Sequence, residues 1–125
     1  MYLRRELGRQ AEQLALRWFL VNRKSTLLTR NYRYRGGEID LIFEEYSNSD
    51  PKSGFMSLVF VEVRARSCTT WVGGPESLSL AKINRLKNTA RHFLSRYRGR
   101  AKMLRFDLLW WDGKIWQRME NIIFV

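Results

Sequence analysis

Two short segments, Gly37-Glu38-Ile39-Asp40-Leu41-Ile42 and Phe60-Val61-Glu62-Val63-Arg64, place acids inside stretches that otherwise read as buried strands. Side chains alternate faces along a strand. Glu38 and Asp40 are therefore expected to point one way, and Ile39, Leu41 and Phe43 the other. Glu62 and Arg64 share a face in the same manner, with Val61 and Val63 opposite. If the two segments pair, three carboxylates and one guanidinium converge on one patch. Crowded carboxylates repel, and burying them is costly unless positive charge sits among them. A divalent cation meets that need.

Carboxylate oxygens are hard ligands, suited to Mg2+ or Mn2+ rather than to soft metals. Mg2+ commonly takes only one or two carboxylates and fills its shell with waters and substrate phosphate. Asp40 and Glu62 fit that role, and Glu38 could order a water beside them. The chemistry such a set supports is phosphodiester hydrolysis. Arg64 cannot act as a general base because it stays protonated, but it can neutralise phosphate charge or orient a nucleophile. Lys82, near the start of a predicted helix, offers an ammonium for the same purpose. Glu12 lies one position from Ala11 on the polar edge of the first predicted helix and reaches the patch if that helix crosses the sheet there. The competing reading is structural: strand carboxylates often pair with arginine, and Glu62 with Arg64 or Arg33 would be such a pair.

These residues need a scaffold. The 125 residues suit one domain, 1–125, with a substantial core, and 45% hydrophobic content agrees with a globular chain. Leu7, Ala11, Leu14, Ala15, Trp18 and Phe19 recur at helical spacing, predicting an amphipathic helix over about 4–23. Strands are predicted at 27–34, 38–46 and 57–66, with a turn at Gly36-Gly37 and a loop at 47–54. Short connections make these three an antiparallel meander. Ile83, Leu86, Ala90, Phe93, Leu94 and Tyr97 mark a second helix over about 76–98, with Pro75 suited to its start. Strands at 103–111 and 114–125 flank Asp112-Gly113, a two-residue hairpin signal. A strand, a helix and then a strand allow a right-handed crossover, which would lay the fourth strand parallel to the third. The expected fold is α/β, a mixed sheet of order αβββαββ with helices packed on it.

Charge points to the partner. The 23 basic against 12 acidic residues give a net charge of +11. A polyanion is favoured, with nucleic acid ahead of an anionic membrane. No acid occurs between Ser77 and Phe106, where nine basic residues lie, while six of the twelve acids fall between Glu38 and Glu62. A basic surface beside an acidic pocket suits an enzyme that grips phosphates. Lys82, Arg85, Lys87 and Arg91 of the second helix, with Arg35 at the first turn, are the expected phosphate contacts. Thr69 to Pro75, with Gly73-Gly74, reads as a glycine loop; Trp71 in it could stack on a base or pack at a rim, and Trp110, Trp111 and Trp116 read mostly as core or interface. One cysteine, Cys68, excludes an internal disulfide or zinc cluster, and one histidine, His92, argues against a histidine metal site or a Ser-His triad. The N-terminal segment, with Arg4, Arg5, Glu6 and Arg9, does not read as a signal peptide, and no stretch is apolar enough to span a membrane. A reducing cytoplasm is expected.

Gly8-Arg9-Gln10-Ala11-Glu12, Arg30-Asn31-Tyr32-Arg33, Gly37-Glu38-Ile39-Asp40-Leu41-Ile42, Val59-Phe60-Val61-Glu62-Val63-Arg64, Lys82 with Ala90, and Arg105-Phe106-Asp107 together resemble the bacterial YraN-like family over essentially the whole chain. That family is similar to the PD-(D/E)XK nuclease superfamily, close to the archaeal Holliday-junction resolvases. The resemblance implies a restriction-endonuclease-like fold, with Asp40 and Glu62 as metal ligands, the backbone carbonyl of Val63 as a further ligand, and Glu12 as the acid from the first helix. The superfamily pattern usually has Lys where this chain has Arg64. The segment Glu45–Ser57 is longer than the family's usual hairpin. Three functions follow as expectations: a Mg2+- or Mn2+-dependent DNA endonuclease, on branched or structured DNA, acting as a homodimer if the substrate is a symmetric junction; a nucleic-acid-binding module with a degenerate nuclease site, motivated by Arg64; and a protein-interaction domain, supported only by the tryptophans.

Overall fold

The computed structural model describes residues 2–22, 25–47, 54–65, 79–111 and 115–120. In chain order they form α1 (Tyr2–Asn22), β1 (Ser25–Tyr34), β2 (Gly37–Ser47), β3 (Phe55–Ala65), α2 (Leu80–Arg96), β4 (Met103–Trp111) and β5 (Trp116–Met119). The five strands make one sheet in the order β1-β2-β3-β4-β5. β3 and β4 run parallel and every other neighbouring pair is antiparallel. This is the α/β architecture expected from the sequence, with the order αβββαββ, and it is consistent with a restriction-endonuclease-like fold. The second helix starts at Leu80 rather than near 76, where Ser79 caps it: its Oγ accepts the Lys82 backbone N–H at 3.1 Å. The hairpin signal at Asp112-Gly113, the glycine loop with Trp71, and Cys68 lie outside the described residues.

Two apolar clusters face opposite ways. Ile42, Leu58, Phe60 and Phe106 pack with Leu86 and Ala90 of α2. Phe43, Val59, Val61 and Leu109 pack with Ala15 of α1. Their strand positions differ by one residue, so the helices cover opposite faces of the sheet. On α1, Ala11 and Ala15 are buried, whereas Leu14, expected in the apolar stripe, is half exposed at 49%. The α2 stripe is as expected: Leu86 and Ala90 are buried, and Ile83, Phe93, Leu94 and Tyr97 pack against them.

The first turn differs from expectation by one residue. Arg35 (φ 43) and Gly36 (φ 80) are its centre, closed by the Tyr34↔Gly37 pair. Positive φ at both central residues is the requirement of a type I′ hairpin, whose twist matches the strands it joins. Gly37 instead begins β2, and it lies tight on α2: a Cβ there would meet the Thr89 hydroxyl and stand 2.7 Å from the Arg85 carbonyl. The absent side chain lets β2 approach α2 immediately before Glu38. Around the loop expected at 47–54, β2 and β3 stay paired out to Ser47↔Phe55, and residues 48–53 lie outside the described residues.

Candidate active site

The strict alternation expected of β2 fails at Asp40. Ile39 belongs to the cluster on α2, while Leu41 and Phe43 belong to the one on α1. The cause lies across the hairpin. Asn31 has φ 52, and it sits between the pairs Arg30↔Leu41 and Tyr32↔Ile39. Left-handed backbone, which Asn tolerates better than most residues, kinks β1 there and turns β2 with it. Just beyond, β2 and β3 part. Their register ends at Leu41↔Val61, although β2 stays with β1 to Gly37 and β3 stays with β4 to Ala65. Asp40 fills the opening: its Oδ2 accepts the Val63 backbone N–H at 2.8 Å.

Glu62 is the residue before Val63, and its side chain is only 8% exposed. Its Oε1 lies 3.4 Å from the Lys82 ammonium, which the Ser79 cap has set at the start of α2. Its Oε2 is buried and has no hydrogen-bond partner. Burial raises the Glu62 pKa, with Lys82 and Arg64 opposing the rise. Burial pushes Asp40 up to about 8, helped by the negative charge of Glu62, while the Val63 N–H works the other way. Glu12, from α1, is also raised, first by burial and also by Glu38, with Arg30 opposing. The charges of Glu12 and Glu38 act on Asp40 in turn. The four acids picked out from the sequence thus share one electrostatic environment, at the split between β2 and β3 where both helices come near.

The cations are distributed unequally. Glu38 pairs with Arg33 at 3.4 Å on the exposed side. Arg64 acts on Glu62 through its charge, yet its buried Nε has no hydrogen-bond partner. The competing structural reading paired Glu62 with Arg64 or Arg33; the ion pair that forms is with Lys82, and Arg33 pairs with Glu38 instead. Among the phosphate contacts expected on α2, Lys82 and Arg85 follow one another at i and i+3 toward the β1–β2 turn, whereas Lys87 projects from another side of the helix. Arg91 and Arg35 meet at a separate groove by the turn.

Whether a metal ion suits these residues can be judged from Asp40 and Glu62 themselves. Glu62 is buried with an orphaned oxygen, and Asp40 beside it is half-buried, pushed up to about 8 by its desolvation and then by the charge of Glu62. A cation relieves both. Among the described residues no group of three or more His, Cys, Asp or Glu is placed to enclose a metal. Mg2+ commonly takes only one or two carboxylates and completes its shell with waters and substrate phosphate, so Asp40 and Glu62 without a closed cage suit it.

Sequence reasoning did not find the Val63 N–H bond, the Ser79 cap, or a second charged cluster on the sheet. There Arg105 donates from Nε to Asp107 Oδ1 at 2.8 Å and reaches across β3 to Glu45, Nη1 to Oε1 at 3.1 Å and Nη2 to Oε2 at 3.2 Å. Arg118 of β5 donates to Asp107 Oδ2 at 3.3 Å and also pairs with Glu120. The signal available was Arg105 and Asp107 at i and i+2, which share a strand face.

Residues 11–110 match the model of the uncharacterised protein family UPF0102. The chain belongs to this family. A UPF0102 protein of Nitrosomonas europaea is 46% identical over 92 residues, covering 74% of this chain and 70% of the relative. A second from the same organism is 41% identical over 115 residues, or 92% of this chain and 88% of the relative. One from Legionella pneumophila is 40% identical over 110 residues, 87% and 85% of the two chains. The UPF0102 match spans α1 from Ala11 through nearly all of β4, and so includes Glu12, Glu38, Asp40, Glu62, Arg64 and Lys82. The resemblance read from the sequence motifs is thereby borne out at the level of family. No described helix is long and apolar enough to cross a membrane.

Proposed function

We propose that this UPF0102 protein is a Mg2+- or Mn2+-dependent endonuclease acting on DNA, with branched or structured DNA as its substrate. The observation that carries the proposal is the Asp40–Glu62 pair, Asp40 half-buried and Glu62 buried, whose charged forms the chain itself leaves incompletely answered. The Val63 N–H holds the Asp40 carboxyl, and the Lys82 ammonium orients Glu62, so both acids are positioned before substrate arrives. Asp40, Glu62 and the Val63 carbonyl would hold the ion, which when bound polarises the phosphate and activates water. Arg64 and Lys82 supply positive charge for the phosphate oxygens. Glu38 and Glu12 border the pair, and either carboxylate can accept a proton from a nucleophilic water. Arg85 and the other cations of α2 contact backbone phosphates, which position a strand without reading its sequence.

The test is a panel of single-stranded, duplex, flap and four-way DNA with Mg2+ and with Mn2+, comparing wild type with Asp40→Ala. Cutting by wild type alone is expected. Equal cutting by both proteins would assign the activity to a contaminant and end the proposal.

A second reading is a DNA-binding module without turnover. The Lys82–Glu62 ion pair favours it, because an ammonium already meets one of the two acids. On that reading binding persists in EDTA, weakens steeply with salt, and survives Asp40→Ala and Glu62→Ala, with no cleavage by any variant.

A further inference from the structure

On α2, Lys82, Arg85, Thr89 and His92 follow one another at i, i+3, i+7 and i+10, forming one stripe beneath the β1–β2 hairpin. The stripe begins at the acids and ends at a groove of about 460 Å3 lined by Tyr34, Arg35, Asn88, Arg91, His92 and Ser95. The groove is built rather than incidental. The Tyr34 and His92 rings stack with centroids 3.9 Å apart and planes at 8°. Tyr32 Oη lies 2.5 Å from His92 Nδ1, fixing the imidazole, and the Arg35 guanidinium carbon is 5.2 Å from the Tyr34 centroid. Arg91 is steadied by Asn88, Nη1 to Oδ1 at 3.3 Å. No carboxylate lines the groove. Arg35 is the first central residue of the β1–β2 turn, and the hairpin thereby sets its side chain at the rim of the groove.

We infer that this groove is a phosphate subsite for a nucleic-acid strand, an anchor separate from the acids. The inference rests on the nucleic-acid reading above and goes beyond it by fixing where the strand is gripped. Tyr34 and His92 stack on one another, and Tyr32 and the Arg35 guanidinium lie against the same two rings, which leaves little free ring surface for a base. Two guanidiniums and an imidazole edge remain, and these are groups that recognise an anion. When Tyr32 donates to Nδ1, the proton of the neutral imidazole lies on Nε2 as a further donor. From Lys82 to His92 the helix advances about 15 Å. At 3.4 Å per nucleotide along one strand, the gripped phosphate stands about four nucleotides from the bond presented to Asp40 and Glu62.

The experiment measures binding of a fluorescent DNA duplex and a four-way junction to the full chain in EDTA, across a salt series, so that cleavage plays no part. Arg35→Ala with Arg91→Ala is expected to weaken binding at least ten-fold and to flatten the plot of log affinity against log salt by about two phosphates' worth. Arg17→Ala with Arg100→Ala removes the same charge from exposed positions elsewhere and is expected to cost under three-fold. His92 is the chain's single histidine, so one imidazole NMR signal reports on the groove; it should shift when a short oligonucleotide is added to wild type or to the single variant Arg91→Ala, but not to the double variant. If wild type binds DNA and the two double variants bind equally, or the His92 signal stays still, the subsite is wrong while the nucleic-acid reading stands. If wild type binds no DNA at low salt, both fall.

Discussion

Two pairs of acids on the described sheet, Asp107 with Glu45 and Asp40 with Glu62, are treated in opposite ways. Asp107 and Glu45 are met in full. Arg105 bonds to both, Arg118 adds to Asp107, and both carboxyls are buried, Asp107 completely. Arg105 shows the balance from the other side: burial alone would make it easier to deprotonate, yet its hydrogen bonds to Asp107 and Glu45 hold its proton more firmly than usual. Asp40 and Glu62 have one backbone N–H bond, one ammonium and the nearby charge of Arg64 between them, and both are still pushed toward protonation. A chain that can answer buried acids so thoroughly at one place leaves them under-answered at another. The first arrangement is what stability asks of buried charge, and the second is what binding asks of it.

The sharpest break between the two concerns folding. Asp107→Ala strands Arg105 and Arg118 beside a vacancy and should destabilise the fold by roughly 3–5 kcal/mol, the usual result of removing one partner from a buried ionic network. Chemical denaturation measures it. Asp40→Asn should do no such harm. If the two substitutions cost the same, the distinction between the clusters is lost.

Next comes the response to a cation. At a hundred times its dissociation constant, Mg2+ or Mn2+ should raise the stability of wild type by about 2.7 kcal/mol, visible as a rise in Tm. Glu62→Gln and Asp40→Asn should abolish the rise. A rise that persists in either variant would put the ion elsewhere.

The metal-free protein should also respond to pH, with a slope of up to about 1.4 kcal/mol per pH unit. Asp40 holds its proton to about pH 8 when folded and has an ordinary value of 3.8 otherwise. The folded state therefore binds more protons across that window. Stability should fall as pH rises from about 4 to 8, and Asp40→Asn should flatten that part of the curve. A metal-free wild type that grows steadily more stable over the same range would contradict the assignment.

The smallest expected change is at Lys82. Its side chain is one-third exposed, so Lys82→Met should cost no more than about 1 kcal/mol in stability. Its clearer sign is a further rise in the pKa of Glu62, readable by carboxyl NMR in the metal-free protein. No change in Glu62 would mean that the ion pair does not persist in solution.

The two clusters also differ in how far the sequence revealed them. β3 is regular, so Val61 and Val63 facing α1 and Glu62 reaching the other way toward Lys82 could be read directly from alternation. β2 defeated the same rule at Asp40, because the kink originates at Asn31 on another strand. An Asn that can turn left-handed looks like any other Asn until its partner strand is known. Glu45 and Arg105 stand 60 positions apart and meet only across the intervening β3, so their pairing depends on register, which local pattern does not encode. The helices, the strand order and the gathering of Glu12, Glu38, Asp40 and Glu62 were legible because apolar periodicity and acid placement are local properties.

The bond from Val63 N–H to Asp40 has one more effect. In an uninterrupted ladder that N–H would be a rung joining β3 to its neighbour, and each rung made brings the next pair of residues within reach. By taking it, the Asp40 side chain acts as the stop on a zip fastener. Replace it with an apolar residue and the N–H is left seeking a carbonyl, which invites β2 and β3 to close further toward Gly37. Such a variant would lose, together with a carboxyl, the split between β2 and β3 that the carboxyl holds open.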